Sequence, residues 1–514
     1  MDKQAPTPSD QTPTVIQRPR STIQGLTRSA ASGAIYLGAQ AVAGRLVGLL
    51  GQLALTALFI PADFGIVTTA NIVFAVCGLI VNLGFDAFLV QRGRAYRPWM
   101  NPLFWCSAVT GTIGAVLICL LAVPTAWLYE TPVLEKMLYF GAATTFIAAL
   151  QIVPIALLNS RLQFRKLAML GLLNGVLVVI SAVVLAWMGW GPLSIIMANP
   201  FITAFMLVLY WRASGIKVRR SWQLGRLRFA VRPLGWISAG RVGPLVISQG
   251  DYFLMSRLST THFLGLYSWA FAFASVFPRT LSNQLATISV PILTQIDGDR
   301  DRQNQAILRS IRLIGTVSWF AIFMQTVLGA FVLRWAFETK YEGGLLPFQL
   351  LSIGFGFEAL TGLVVGLMLA RGLNSLIVRM TIMLLPMFFI LAGVGAYLGA
   401  AVGCAAGVCL YFLIVQTGAY VLVLSQQCGL SKFRIAKALC VPAFALLPAF
   451  LIAESMPYFL EGQHRSLILV FMTVLYLTLA WASIAFLTPG NYAIVRETAA
   501  PIIQRIAGRM RSKA

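Results

Sequence analysis

The stretch ISAGRVGPLVISQGDYFLMSRLST, residues 237–260, sets an Arg, an Asp and a second Arg among apolar neighbours. Whether it crosses a membrane decides the fold. On a helical wheel of about 100° per residue, Ser248 falls about 20°, Ser238 about 60°, and Gln249 and Asp251 about 80° from Arg241. The polar groups share one face, while Val242 and Val246 lie off it. A charge at mid-bilayer costs about 2.5–3.5 kcal/mol, so such residues face a bundle interior or a wet cavity. Pro244 removes a backbone hydrogen bond and predicts a kink. The stretch reads as a membrane helix with one polar side.

The surrounding chain agrees. Of its 514 residues 58% are hydrophobic and only 11% charged, and the mean hydropathy is +0.81. Soluble domains carry about 25% charged residues. Apolar runs of roughly 20 residues, the length that crosses about 30 Å of hydrocarbon, recur from residue 33 to residue 487. A membrane β-barrel shows short alternating segments instead. The expectation is an all-α polytopic protein of about 14 spans.

The net charge of +23 is a topology signal. Most Lys and Arg fall in alternate connections and in the two tails, while the opposite connections are short and hold Asp63, Glu130, Glu135, Glu338, Glu342, Glu454 and Glu461. Basic loops stay in the cytoplasm, which places both termini there and makes the span number even. Nucleic acid is not the implied partner. Residues 1–32 open polar and Pro/Thr-rich and read as a flexible cytoplasmic tail. The seven Cys lack metal spacing and read as small core residues.

The connection RASGIKVRRSWQLGRLRFAVR (212–232) has seven basic residues and no acidic one. It divides two similar blocks. AGRLVGLLGQ (43–52) opens the first and AGRVGPLVISQ (239–249) the second, followed by Phe64-Gly65 and Leu264-Gly265 respectively. A parallel internal repeat follows, with six spans in 33–211 and six in 233–424. Two added spans occupy 425–487, and a basic cytoplasmic tail 488–514. Transporters are often built from two such bundles with the substrate path between them.

Three arginines lie inside spans. Arg241 is roughly 12 Å from the cytoplasmic end of its helix, and Arg279, on the returning span, is roughly 24 Å from the outer end. Arg45 is near mid-span. Guanidinium keeps its charge and grips phosphate oxygens bidentately, so Arg241, Arg45 and Arg279 are expected to line a cavity for an anionic substrate. Glu358, near mid-span, heads the candidates for ion or proton coupling, followed by Asp251 and Asp86. Asp251 is expected to be partly solvated near the outer surface. Asp86, close to Gln91-Arg92-Gly93-Arg94, also reads as half of a structural ion pair. Gly44 and Gly48 read as a helix-packing pair.

Enzymatic alternatives find little footing. Asp297-Gly298-Asp299 is an Asp-x-Asp in a short cytoplasmic connection, and the two histidines, His262 and His464, sit at outer helix ends. No catalytic or metal constellation and no cofactor motif appears in the sequence.

Strings along most of the chain carry a resemblance: Pro61-Ala62-Asp63-Phe64-Gly65; Gly84-Phe85-Asp86-Ala87-Phe88-Leu89-Val90-Gln91-Arg92; Leu158-Asn159-Ser160-Arg161-Leu162-Gln163-Phe164-Arg165; Gly189-Trp190-Gly191; Asp251-Tyr252-Phe253-Leu254; Leu264-Gly265-Leu266-Tyr267-Ser268; Phe277-Pro278; and Val290-Pro291-Ile292-Leu293-Thr294-Gln295. In that order they resemble the Wzx-type polysaccharide flippases of the multidrug/oligosaccharidyl-lipid/polysaccharide exporter superfamily, colanic acid and exopolysaccharide exporters in particular. The resemblance implies two six-helix lobes that alternate access in the bacterial inner membrane. It implies an undecaprenyl-pyrophosphate-linked oligosaccharide as the substrate, bilayer lipids around it, and other polysaccharide-assembly proteins as partners. A drug antiporter on the same scaffold and a membrane glycosyltransferase or polymerase are the alternatives.

Overall fold

The computed structural model describes residues 20–92, 96–216, 218, 224–276, 278, 300–370, 373–459 and 465–493. Among them every regular element is helical. That is the outcome expected in lipid, where each backbone polar group must find its partner within the segment. The first half comprises α1 (Arg20–Leu58), α2 (Pro61–Val81), the short α3 (Phe85–Gln91), α4 (Arg97–Leu128), α5 (Pro132–Ser160), α6 (Phe164–Trp187), one turn α7 (Ser194–Met197) and α8 (Asn199–Ser214). The second half comprises α9 (Leu224–Leu258), α10 (Thr261–Ala274), α11 (Arg300–Met324), α12 (Ala330–Phe337), α13 (Glu342–Ala370), α14 (Asn374–Leu410), α15 (Thr417–Cys428), α16 (Lys432–Phe459) and α17 (Arg465–Leu487).

Ten stretches among the described residues are long and apolar enough to cross a membrane. One of them, Ser375–Cys428, holds two legs. Gly399 and Ala400 leave helical geometry, Ala400 at φ 45°. The legs then pack antiparallel through Gly395 against Gly403 and Gly407 against the Leu391 carbonyl. Only glycine lets two backbones approach so closely. The fourteen segments read from the sequence include residues 279–287, which lie outside the described set.

Local signals set the helix starts. Pro61 and Pro132 occupy first turns, where a missing N–H costs nothing. The Asp63 carboxylate accepts from the Ile60 backbone N–H at 3.0 Å. The Thr260 hydroxyl caps α10 by accepting from the Phe263 N–H. Gly84, at φ 82°, breaks the chain after α2 and lets α3 restart with Asp86 in its first turn. The α9 helix runs unbroken through Pro244.

Packing forms several cores. The α2, α4 and α5 helices enclose one around Met137 and Leu138, and a second around Leu103 and Val153 joins α3, α4 and α5 to Ala230 and Leu234 at the start of α9. A larger core around Trp269, Phe355, Phe388 and Leu446 fills the second half and takes in Leu55, Phe59 and Phe64 at the junction. Gly44 and Gly48 depart from expectation: nothing described lies within 4 Å of where a Cβ on either would sit. The α1 helix leans on α6 through a different glycine, Gly51 against Val179, so among the described residues the Gly44/Gly48 face has no packing partner.

Candidate functional site

A cavity of about 590 Å³ is lined by side chains from both halves. The α1 helix contributes Arg45; α9 contributes Ile247, Ser248 and Asp251; α13 contributes Phe355, Glu358 and Met368. Ile377, Thr381 and Phe388 of α14 face it, with Tyr411, Phe412 and Gln416 beyond them and Tyr420 of α15. Residues 411–416 form a π-helical turn, a distortion frequent at functional sites. The Thr417 hydroxyl compensates there by donating to the Phe412 carbonyl at 2.7 Å.

Of the sequence candidates, Arg45, Asp251 and Glu358 come together on this cavity. Arg279 lies outside the described residues. Arg241 is not part of the lining. Its Nη2 donates to both carboxylate oxygens of Asp86, at 2.9 and 3.1 Å, with the two side chains 34% and 42% exposed. Asp86 does form an ion pair, and its partner comes from the other half of the chain. Ser238, one turn before Arg241, donates to the Leu83 carbonyl at 3.0 Å, and Gly84 abuts Ile237. The polar face of α9 therefore serves two surfaces. Ser238 and Arg241 bind the α2–α3 corner, and Ser248 and Asp251 face the cavity.

Asp251 is 1% exposed and not partly solvated as its sequence position implies. Packing of α10 against α9 covers it. The Tyr267 hydroxyl donates to its Oδ2 at 2.7 Å, and its other oxygen accepts from the Tyr252 backbone N–H at 2.9 Å. A buried carboxylate needs such donors to offset its lost hydration.

The outer junction repeats the sequence symmetry. A Cβ on Gly65 of α2 would overlap the Thr261 carbonyl, and a Cβ on Gly265 of α10 would overlap the Pro61 carbonyl. Each glycine thus receives the residue four positions before the other, a reciprocal contact between matching segments of the repeat. Around it Trp269 Nε1 donates to Thr56 Oγ1 at 3.2 Å, and the Tyr341 hydroxyl donates to the Phe59 carbonyl at 2.9 Å. The Trp269 and Tyr341 rings stack at 4.8 Å. Farther along, the Tyr129 hydroxyl donates to Ser256 Oγ at 2.9 Å.

Sequence reasoning missed the aromatic wall of the cavity, Phe271, Phe355, Phe388, Tyr411, Phe412 and Tyr420. Aromatic residues at helical spacing look the same in a solid core, and no local signal separates the two. Among the described residues no cluster of metal-ligating side chains occurs, and all seven cysteines are free thiols.

Comparison with known proteins follows this geometry. Residues 54–343 match the model of the family described as "Polysaccharide biosynthesis protein". The chain is 25% identical over 257 residues to the succinoglycan biosynthesis transport protein ExoT of Rhizobium meliloti (strain 1021), covering 49% of this chain and 51% of that one. It is 20% identical over 265 residues to the teichuronic acid biosynthesis protein TuaB of Bacillus subtilis (strain 168), covering 49% and 53%. The chain spans about half the length of the curated relatives it matches. Among solved structures, the lipid II flippase MurJ in an inward closed conformation superimposes with a TM-score of 0.70 at 11% identity, covering 91% of this chain and 100% of that one. A MATE transporter of Vibrio cholerae, VcmN, gives 0.52 at 15% identity, covering 79% and 98%. The structural likenesses show that the chain shares the helical fold of these proteins. Matched over more than half its length, this multi-pass membrane chain belongs to the polysaccharide biosynthesis protein family.

Proposed function

We propose that the protein is a flippase that moves undecaprenyl-pyrophosphate-linked oligosaccharide units across the bacterial inner membrane for surface polysaccharide assembly, by alternating access between its lobes. The supporting observation is the cavity itself, which combines a permanent cation with an aromatic wall between the two halves. Its volume of about 590 Å³ lies in the range that encloses a drug-sized group. The headgroup fits that scale, while the long polyprenyl tail stays in the bilayer. Arg45 holds the pyrophosphate, and the aromatic faces pack against sugar rings. Arg241 reaches the substrate only once Asp86 releases it, so in this state it latches the inner ends of the lobes. Glu358 and Asp251, which line the same cavity as Arg45, are the acids proposed to couple an ion or proton, and Asp86 responds through Arg241. Neighbouring polysaccharide-assembly proteins supply and take up the unit.

One observation favours a second reading. Two carboxylates and one arginine share the cavity, a balance that also suits a cation antiporter. Replacing Arg45 separates the two. Losing a hydrogen-bonded contact to a charged group costs about 1.5–3 kcal/mol, so Arg45→Ala is expected to weaken substrate binding roughly tenfold to hundredfold. Surface polysaccharide falls at normal membrane abundance of the variant. Full polysaccharide export together with lost efflux of an organic cation would establish the antiporter instead.

A further inference from the structure

A second cavity, of about 320 Å³, lies at the outer junction, apart from the large cavity and beside the glycine seam, with which it shares Thr261. We propose that it is a binding site for a phosphate group, built on Arg257. Tyr129 at the end of α4 supplies one wall, and Ser256, Arg257, Ser259, Thr260 and Thr261, at the turn from α9 to α10, supply the other. The lining carries one permanent positive charge, a phenol and four aliphatic hydroxyls, and no carboxylate.

Three details point to an anion. Arg257 has no carboxylate within ion-pair distance among the described residues. Its guanidinium instead sits 5.8 Å from the Tyr129 ring centroid, which leaves its N–H groups for another acceptor. Ser259 Oγ is shielded from solvent and makes no hydrogen bond among the described residues. A shielded hydroxyl without a partner is destabilising, and a phosphate oxygen would satisfy it. Guanidinium and hydroxyl donors converging on one small volume are the chemistry that recognises phosphate. Lipid headgroups and soluble phosphates present the same oxygens to such a site.

The site has a consequence that rests on the alternating-access reading. Its walls come from different lobes, joined by the Tyr129–Ser256 hydrogen bond, so it is complete only while the outer ends are together. A ligand that binds one state alone shifts the equilibrium toward it. Phosphate at Arg257 therefore favours the outer-closed form.

The test uses the purified full-length chain, stripped of lipid, in detergent. Thermal midpoints are followed against inorganic phosphate at constant ionic strength with chloride as the control anion, and in parallel against phosphatidylglycerol. Wild type is expected to be stabilised by at least one of the two probes. Arg257→Gln is expected to need about tenfold more of that probe, Ser259→Ala less of an increase, and Arg257→Lys an intermediate one. Stabilisation by phosphatidylglycerol alone assigns the group to a headgroup, and stabilisation by inorganic phosphate assigns it to a soluble anion. Should Arg257→Gln fail to fold, Ser259→Ala reads the same site. No stabilisation by either probe, or equal stabilisation of wild type, Arg257→Gln and Ser259→Ala, overturns the proposal. Because the readout is binding, it stands or falls separately from the flippase reading.

Discussion

Adding one methyl group at the outer seam is expected to open it. In Gly265→Ala the new Cβ would occupy the space of the Pro61 carbonyl oxygen, and in Gly65→Ala that of the Thr261 carbonyl. Both obstacles are backbone, so no rotamer change relieves them. The α2 and α10 helices must move apart. Overpacking of this kind costs about 1–3 kcal/mol, and the cost falls only on the outer-closed state. The ratio of closed to open molecules should therefore drop roughly 5- to 150-fold. The two variants relieve strain by the same separation, so combining them should cost little more than one alone, unlike independent sites. Spin labels carried by a non-canonical amino acid at positions 62 and 262 report the outer distance without touching the seven native cysteines. The expected result is a longer distance in each single variant and the same one in the double. An unchanged distance with unchanged thermal stability would refute the seam as the outer contact of the lobes. Fully additive costs would show two independent sites.

The inner latch and the buried acid give further tests. Arg241 and Asp86 are each about a third or more exposed and meet through one guanidinium nitrogen, so a double-mutant cycle with Arg241→Gln and Asp86→Asn should yield a coupling of at most about 1 kcal/mol in thermal stability. A zero coupling would remove the pair as a latch. Tyr267→Phe deletes a hydroxyl that donates to Asp251 at 2.7 Å; its loss should destabilise the fold by about 1–3 kcal/mol, measured as a fall in thermal midpoint. Restoration by Asp251→Leu, which removes the acceptor as well, would identify the unmet carboxylate as the cause. An unchanged midpoint in Tyr267→Phe would show that other donors suffice.

Much of this architecture was open to sequence reasoning because a bilayer imposes simple rules. Length and apolarity mark helices, and a repeated Phe64-Gly65 and Leu264-Gly265 marks two related segments. The structure gives that repeat a physical meaning: the two glycines pack into each other's helix start. The wheel of residues 238–251 likewise located a polar face on α9.

What a wheel cannot supply is the identity of the neighbour. Arg241 and Asp251 lie on one side of one helix, yet one meets Asp86 across the lobe junction and the other meets Tyr267 under α10. Those partners stand 155 and 16 residues away in the chain, so only tertiary packing brings them within hydrogen-bond reach. The same holds for Gly44 and Gly48, whose spacing matches a packing motif while no described residue packs on them. By itself the sequence determined the membrane class, the helices and the doubled plan, because transfer into lipid depends on composition and period. Which charges neutralise one another, and which remain to greet a substrate, was decided by the folded arrangement, because electrostatic attraction acts over a few ångströms of space and takes no account of distance along the chain.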